Sequence, residues 1–120
     1  MMERQDLLFK NRFYFYIVIL LFCDIATKQL ALSFLEKGIS SSFIPFIDFY
    51  LIFNSGIAFG FLDIGEKFFS NILMIIAIII VIYLLYLLNE ENDASKKLGL
   101  SFITGGALGN IVDRAPDGYV

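Results

Sequence analysis

Histidine is missing from all 120 residues. That absence excludes Ser-His-Asp triads, Cys-His pairs and histidine-ligated metals. A single cysteine, Cys23, leaves no partner for an internal disulfide. Its place in an apolar run reads as a buried structural thiol. Basic residues are also scarce in clusters: no run exceeds Lys96-Lys97, and the formal net charge is −3. Phosphate-backbone binding needs basic clusters, so a nucleic-acid partner is excluded. What the chain has in excess is apolar surface. Hydrophobic residues make up 58% and mean hydropathy is +0.78. One domain of this length cannot bury so much apolar area against itself, which makes lipid the expected solvent.

The hydropathy pattern divides the chain into three expected spans. Phe13–Leu32 approaches the ~20 apolar residues that cross a bilayer core, and is interrupted by Asp24 and Lys28. Each charge costs roughly 2.5–3.5 kcal/mol at a helix centre, so the segment inserts only if the two pair or lie off-centre. They are four residues apart and therefore share a helical face. With no small-residue cleavage site bounding it, the segment reads as a retained span rather than a removed leader. Phe68–Leu88 carries no charge and is apolar all round, with Tyr83 and Tyr86 placed for an interfacial belt. Leu98–Val112 is weaker. Its Ser101, Gly105 and Gly109 stand at the four-residue spacing that lets helix backbones approach closely in lipid.

Between the first two spans, 43–62 is apolar but broken by Pro45, Asp48, the Asn54-Ser55-Gly56 turn signal and Gly60. Its Phe, Ile and Tyr content suits two extended pieces, Phe46–Phe53 and Ile57–Leu62, lying at the membrane surface. Arg4, Lys10, Arg12, Lys96 and Lys97 then share one side against Lys37 and Lys67, which puts the amino terminus in the cytoplasm. In this topology Asp24, Lys28, Asn54, Asn110, Asp113 and Arg114 all meet at the outer leaflet. The bland reading is a set of interfacial residues around a helix-packing Asp-Lys pair. The functional reading is a polar site, because intramembrane ionisable groups usually mark one.

Two blocks carry a resemblance to a known family. Asn54-Ser55-Gly56-Ile57-Ala58-Phe59 and Gly105-Gly106-Ala107-Leu108-Gly109-Asn110-Ile111-Val112-Asp113-Arg114, continued by Gly118-Tyr119-Val120, resemble signal peptidase II, the lipoprotein signal peptidase. Asp24-Ile25-Ala26-Thr27-Lys28 matches a third block of that pattern. The resemblance implies an all-α bacterial inner-membrane protein with four helices and a small extended platform at the outer face. It implies an aspartic endopeptidase without metal or cofactor. That enzyme removes the signal peptide of diacylglyceryl-modified prolipoproteins, cutting before the lipidated cysteine.

Residue by residue, Asn54, Asn110 and Arg114 resemble the pocket that holds substrate backbone or a cyclic-peptide inhibitor. Asp24, Lys28 and Asp113 resemble its support. The family's first catalytic aspartate follows the Gly-Tyr-Val segment directly and the second opens the fourth helix. The expectation is therefore a single partial domain over residues 1–120, without either catalytic aspartate and inactive alone. Pro116 departs from the usual pattern. Two other readings stand beside this one: a dyad of Asp24 with Asp113, and a non-catalytic small polytopic membrane protein, scaffold or carrier component, built on the Asp24-Lys28 pair.

Overall fold

A computed structural model describes residues 2–54 and 66–120, which form three helices and a hairpin. Helix α1 runs Met2–Phe34, strands β1 and β2 run Ser40–Ile44 and Ile47–Tyr50, and helices α2 and α3 run Glu66–Glu90 and Ala94–Asp117. Helix α3 packs against both α1 and α2 and is thus the middle of the bundle. Among the described residues, two stretches are long and apolar enough to cross a bilayer, Asn11–Phe34 and Phe68–Glu90. At 24 residues α3 is about 36 Å long. Its length suffices, but its lysines, Asp113, Arg114, Asp117 and glycines keep its hydropathy low.

Helix α1 starts well before Phe13 because the amino-terminal segment contains neither Gly nor Pro to stop it. Helix α3 likewise passes the expected end at Val112 and takes Pro116 into its last turn. The proline forgoes one hydrogen bond to the carbonyl four residues back, a loss confined to a turn that ends directly after it. Asp93 caps the start, its carboxylate accepting the Lys96 N–H at 2.9 Å. Gly118 caps the end at φ +89°, donating its N–H to the Arg114 carbonyl at 2.8 Å.

The apolar centre is small. Phe13, Ile17 and Leu88 are buried together, with Tyr16, Leu85, Leu100 and Leu108 around them. Ser101 and Thr104 are fully buried beside this cluster, and each hydroxyl donates to its own helix, to the Lys97 and Leu100 carbonyls. That local bonding satisfies a polar atom where no water reaches it. The outward faces remain apolar, with Ile75, Ile79 and Ile82 of α2 more than half exposed, the distribution of a protein whose solvent is hydrocarbon. Cys23 belongs to this outward surface and is exposed. The buried-thiol reading is therefore corrected: an apolar neighbourhood in sequence marks lipid contact as readily as core.

The hairpin also differs from expectation. β1 pairs antiparallel with β2, Ser40 opposite Tyr50 and Ser42 opposite Asp48, with an irregularity between Ser42 and Ile44. The pairing begins in the serines, a composition that signals loop, and the chain reverses at Pro45-Phe46, so that β2 falls inside the expected strand Phe46–Phe53 while β1 lies before it. Phe46 takes φ +73° to make that reversal. The second expected strand, Ile57–Leu62, lies outside the described residues. A further bridge, Gly38 N–H to the Leu51 carbonyl at 3.2 Å, ties the hairpin to the segment after α1.

Candidate functional site

The site is assembled where α1 and α3 come closest. Gly105 faces α1 so tightly that a Cβ there would stand 2.7 Å from Leu20 Cβ and 3.3 Å from the Ile17 carbonyl oxygen. A Cβ on Gly109 would overlap the Asp24 carboxylate. The four-residue small-side-chain spacing seen in the sequence is thus the α1–α3 contact itself, and its last member makes room for a charged group.

Lys28 is the hub of the polar cluster in this seam. Its Nζ donates to Asp24 Oδ2 at 2.6 Å, to Asp113 Oδ2 at 2.5 Å and to Asn110 Oδ1 at 3.2 Å. An ammonium has three N–H donors, and all three are used. Each of the three charged side chains retains less than a third of its exposure. Asn110 and Asp113 are three apart on α3, so one face presents both to α1. Asp24 and Asp113 each point an oxygen at the lysine rather than at each other. The ammonium occupies the place where the water or proton of a carboxylate dyad would sit. This geometry suits a structural tie between helices.

Arg114 follows Asp113 yet stays out of the network. Its Nε is buried and has no hydrogen-bond partner among the described residues. Asn54 approaches the site by its backbone: its N–H donates to the Val120 carbonyl at 2.8 Å and its carbonyl accepts the Val120 N–H at 3.0 Å. Such a two-way exchange is the unit of an antiparallel ladder. The segment leaving α3 is thereby joined to the segment leaving the hairpin.

A cleft of about 490 Å³ opens between these parts. Lys28 and Asp113 line one wall, Leu32, Val112 and Phe53 supply apolar surface, and Val120 lies at its edge. Among the described residues, no group of three or more carboxylate or thiol side chains stands together to hold a metal ion. Of the six residues expected to converge, four form the Lys28 cluster, Asn54 joins through its backbone, and Arg114 follows the cluster with its Nε lacking a partner among the described residues.

One contact had no signal in the sequence. Ser70, in the first turns of α2 and 2% exposed, donates its hydroxyl to the Gly118 carbonyl at 2.6 Å. A serine near the start of an apolar span is ordinary, and nothing in its neighbours announces a partner 48 residues away.

Comparison with known proteins identifies the family and the overall fold. The family described as Signal peptidase (SPase) II matches residues 16–120. The Lipoprotein signal peptidase of Polynucleobacter necessarius subsp. necessarius (strain STIR1) is 38% identical over 106 residues, covering 86% of this chain and 64% of that protein. The one from Shewanella baltica (strain OS195) is 32% identical over 111 residues, covering 91% and 65%. A solved bacterial membrane enzyme superposes with a TM-score of 0.76 at 27% identity, over 92% of this chain and 66% of that one. The chain therefore spans just under two thirds of the length of these relatives.

Proposed function

The chain belongs to the signal peptidase II family, and from that premise we propose that it is the substrate-holding part of a membrane aspartic endopeptidase. The enzyme removes signal peptides from diacylglyceryl-modified prolipoproteins, cutting before the lipidated cysteine. The observation that carries this reading is the cleft in which the Lys28–Asp113 tie, Phe53 and Val120 meet. It brings the segment after α3 to the charged seam between α1 and α3. In this reading α3 is a third span, the amino terminus is cytoplasmic and the cleft faces the outer leaflet of the bacterial inner membrane. A substrate can then leave its acyl chains in lipid while its backbone enters the cleft.

Asn54, Asn110 and Arg114 hold that backbone, or a cyclic-peptide inhibitor. The unpaired Nε of Arg114 supports this role, since a buried donor without a partner is costly until a ligand supplies the acceptor. Asp24, Lys28 and Asp113 set the helix spacing. The reaction needs one ionised carboxylate to activate water and one protonated carboxyl to donate to the carbonyl oxygen or leaving amine. We assign neither role to Asp24 or Asp113, which Lys28 ties, but both to the two aspartates that the family resemblance places beyond the Gly-Tyr-Val segment; on this reading residues 1–120 do not cleave by themselves. No cofactor takes part.

The test is inhibitor binding to the detergent-extracted chain. A cyclic-peptide inhibitor of this peptidase class should bind, and Arg114→Ala should weaken it at least tenfold without lowering thermal stability. Unchanged affinity in that variant would leave the rival in place, a non-catalytic packing protein held by its Asp24-Lys28 pair.

A further inference from the structure

We propose that Ser70 is a positioning residue, which fixes the direction in which the chain leaves α3 and hence the place of the carboxylate that the peptidase reading expects beyond Val120. The proposal rests on the peptidase reading above. Its basis is an unusual use of a helical hydroxyl. Ser33, Ser101 and Thr104 donate to the carbonyl four residues back in their own helix, the ordinary habit of such side chains. Ser70 instead donates across to α3, at the Gly118 carbonyl. The fit there is close: a Cβ on Gly118 would stand 3.0 Å from the Ser70 hydroxyl oxygen.

The peptide unit joining Gly118 to Tyr119 is consequently held at both polar ends. Ser70 takes its carbonyl at 2.6 Å, and the Asp117 carboxylate accepts its N–H at 3.1 Å. That control matters because the unit follows a glycine in the left-handed region, where the backbone has the most freedom to turn. One residue later Val120 is clamped to Asn54. The hydroxyl of α2 and the backbone after the hairpin thus fix successive links of one short segment. A carboxylate carried directly beyond Val120 inherits that direction. Catalytic groups must be placed to about 0.5 Å, and a displacement of about 1 Å costs on the order of 100-fold in rate.

Two measurements decide it. In this chain with Cys23→Ser, Asn54→Cys and Val120→Cys report the clamp, since facing residues of an antiparallel pair lie within disulfide reach. Ser70→Ala should slow oxidative cross-linking of that pair at least fivefold, and Ser70→Thr should restore it. In the complete enzyme, Ser70→Ala should lower kcat on a lipidated prolipoprotein peptide 10- to 100-fold, with KM and inhibitor affinity within threefold of the parent and recovery in Ser70→Thr. Equal cross-linking rates overturn the proposal, as does an unchanged kcat or a parallel loss of kcat and inhibitor binding. A parent enzyme that cleaves nothing overturns the peptidase reading instead, and cross-linking still decides whether Ser70 controls the exit.

Discussion

Lys28 and Asp113 meet at 2.5 Å across the α1–α3 seam, 85 residues apart in the chain. The same ammonium also holds Asp24 at 2.6 Å. Lys28→Met leaves two carboxylates facing each other in a largely dry seam. Breaking a buried pair costs about 3–5 kcal/mol, and the remaining exposure of these side chains places this case near the lower end. The expected outcome is a loss of about 3 kcal/mol in detergent unfolding. Adding Asp113→Leu should return part of it, because the double variant removes one of the stranded charges. A double variant no more stable than Lys28→Met would show that the tie is not the seam's stabilising element.

The neighbouring glycines make opposite predictions. Gly105→Ala must push α1 away, because the added methyl meets Leu20 and the Ile17 backbone. Overpacking of this kind costs about 1–3 kcal/mol. Gly106→Ala meets nothing within 4 Å and should gain up to about 1 kcal/mol from helix propensity alone. Unfolding midpoints of the two variants in one detergent should therefore move in opposite directions. A common direction of shift would remove Gly105 from the helix contact.

How legible each part was in the sequence depends on whether it is set locally or by the bundle. The α2 span was plain because an uncharged apolar run has few alternatives. The i,i+4 spacing of Asp24 and Lys28 announced a pair, and Gly105 and Gly109 announced the helix face that receives it. The topology already brought Asp113 to the same depth, but its direct bond to Lys28 is set by the bundle, since no local rule joins residues 85 apart. The end of α3 was hidden by Pro116, which ordinarily stops a helix but here stands in a turn that is already ending. Strand β1 was hidden by serines, whose pairing is decided by the partner strand rather than by propensity. Ser70 was invisible because its acceptor is a backbone carbonyl, and backbone acceptors carry no residue-type signature.

Acid sensitivity should appear at the α2–α3 turn. The Glu91 carboxylate accepts the backbone N–H of Asp93 at 3.0 Å and of Asn92 at 2.8 Å. These bonds, with Lys96 adding attraction, hold its pKa below the ordinary value of 4.5. A carboxyl lowered in the folded state lends stability that is present above its unfolded pKa and disappears as pH falls through the folded one. Thermal midpoints of the parent should exceed those of Glu91→Gln at pH 7, and the gap should close as pH falls below about 4.5. A gap that persists unchanged in acid would assign the effect to something other than ionisation.

Phe46 presents the opposite case, a residue that strains the backbone at a place where it touches nothing. It stands at φ +73° in the hairpin turn with its ring fully exposed. A side chain in the left-handed region costs roughly 1–2 kcal/mol, which glycine avoids. In a small detergent micelle, Phe46→Gly should therefore protect the hairpin amides from exchange by about fivefold, the equivalent of about 1 kcal/mol. In a bilayer the sign should reverse. An apolar ring lying in the interface contributes roughly 1.5–3 kcal/mol of burial that the variant forgoes, more than the relief of strain returns. The hairpin amides of the variant should then exchange faster than those of the parent. The same change in micelle and bilayer would mean that the ring does not meet lipid, and that the strain at Phe46 has no counterpart in membrane contact.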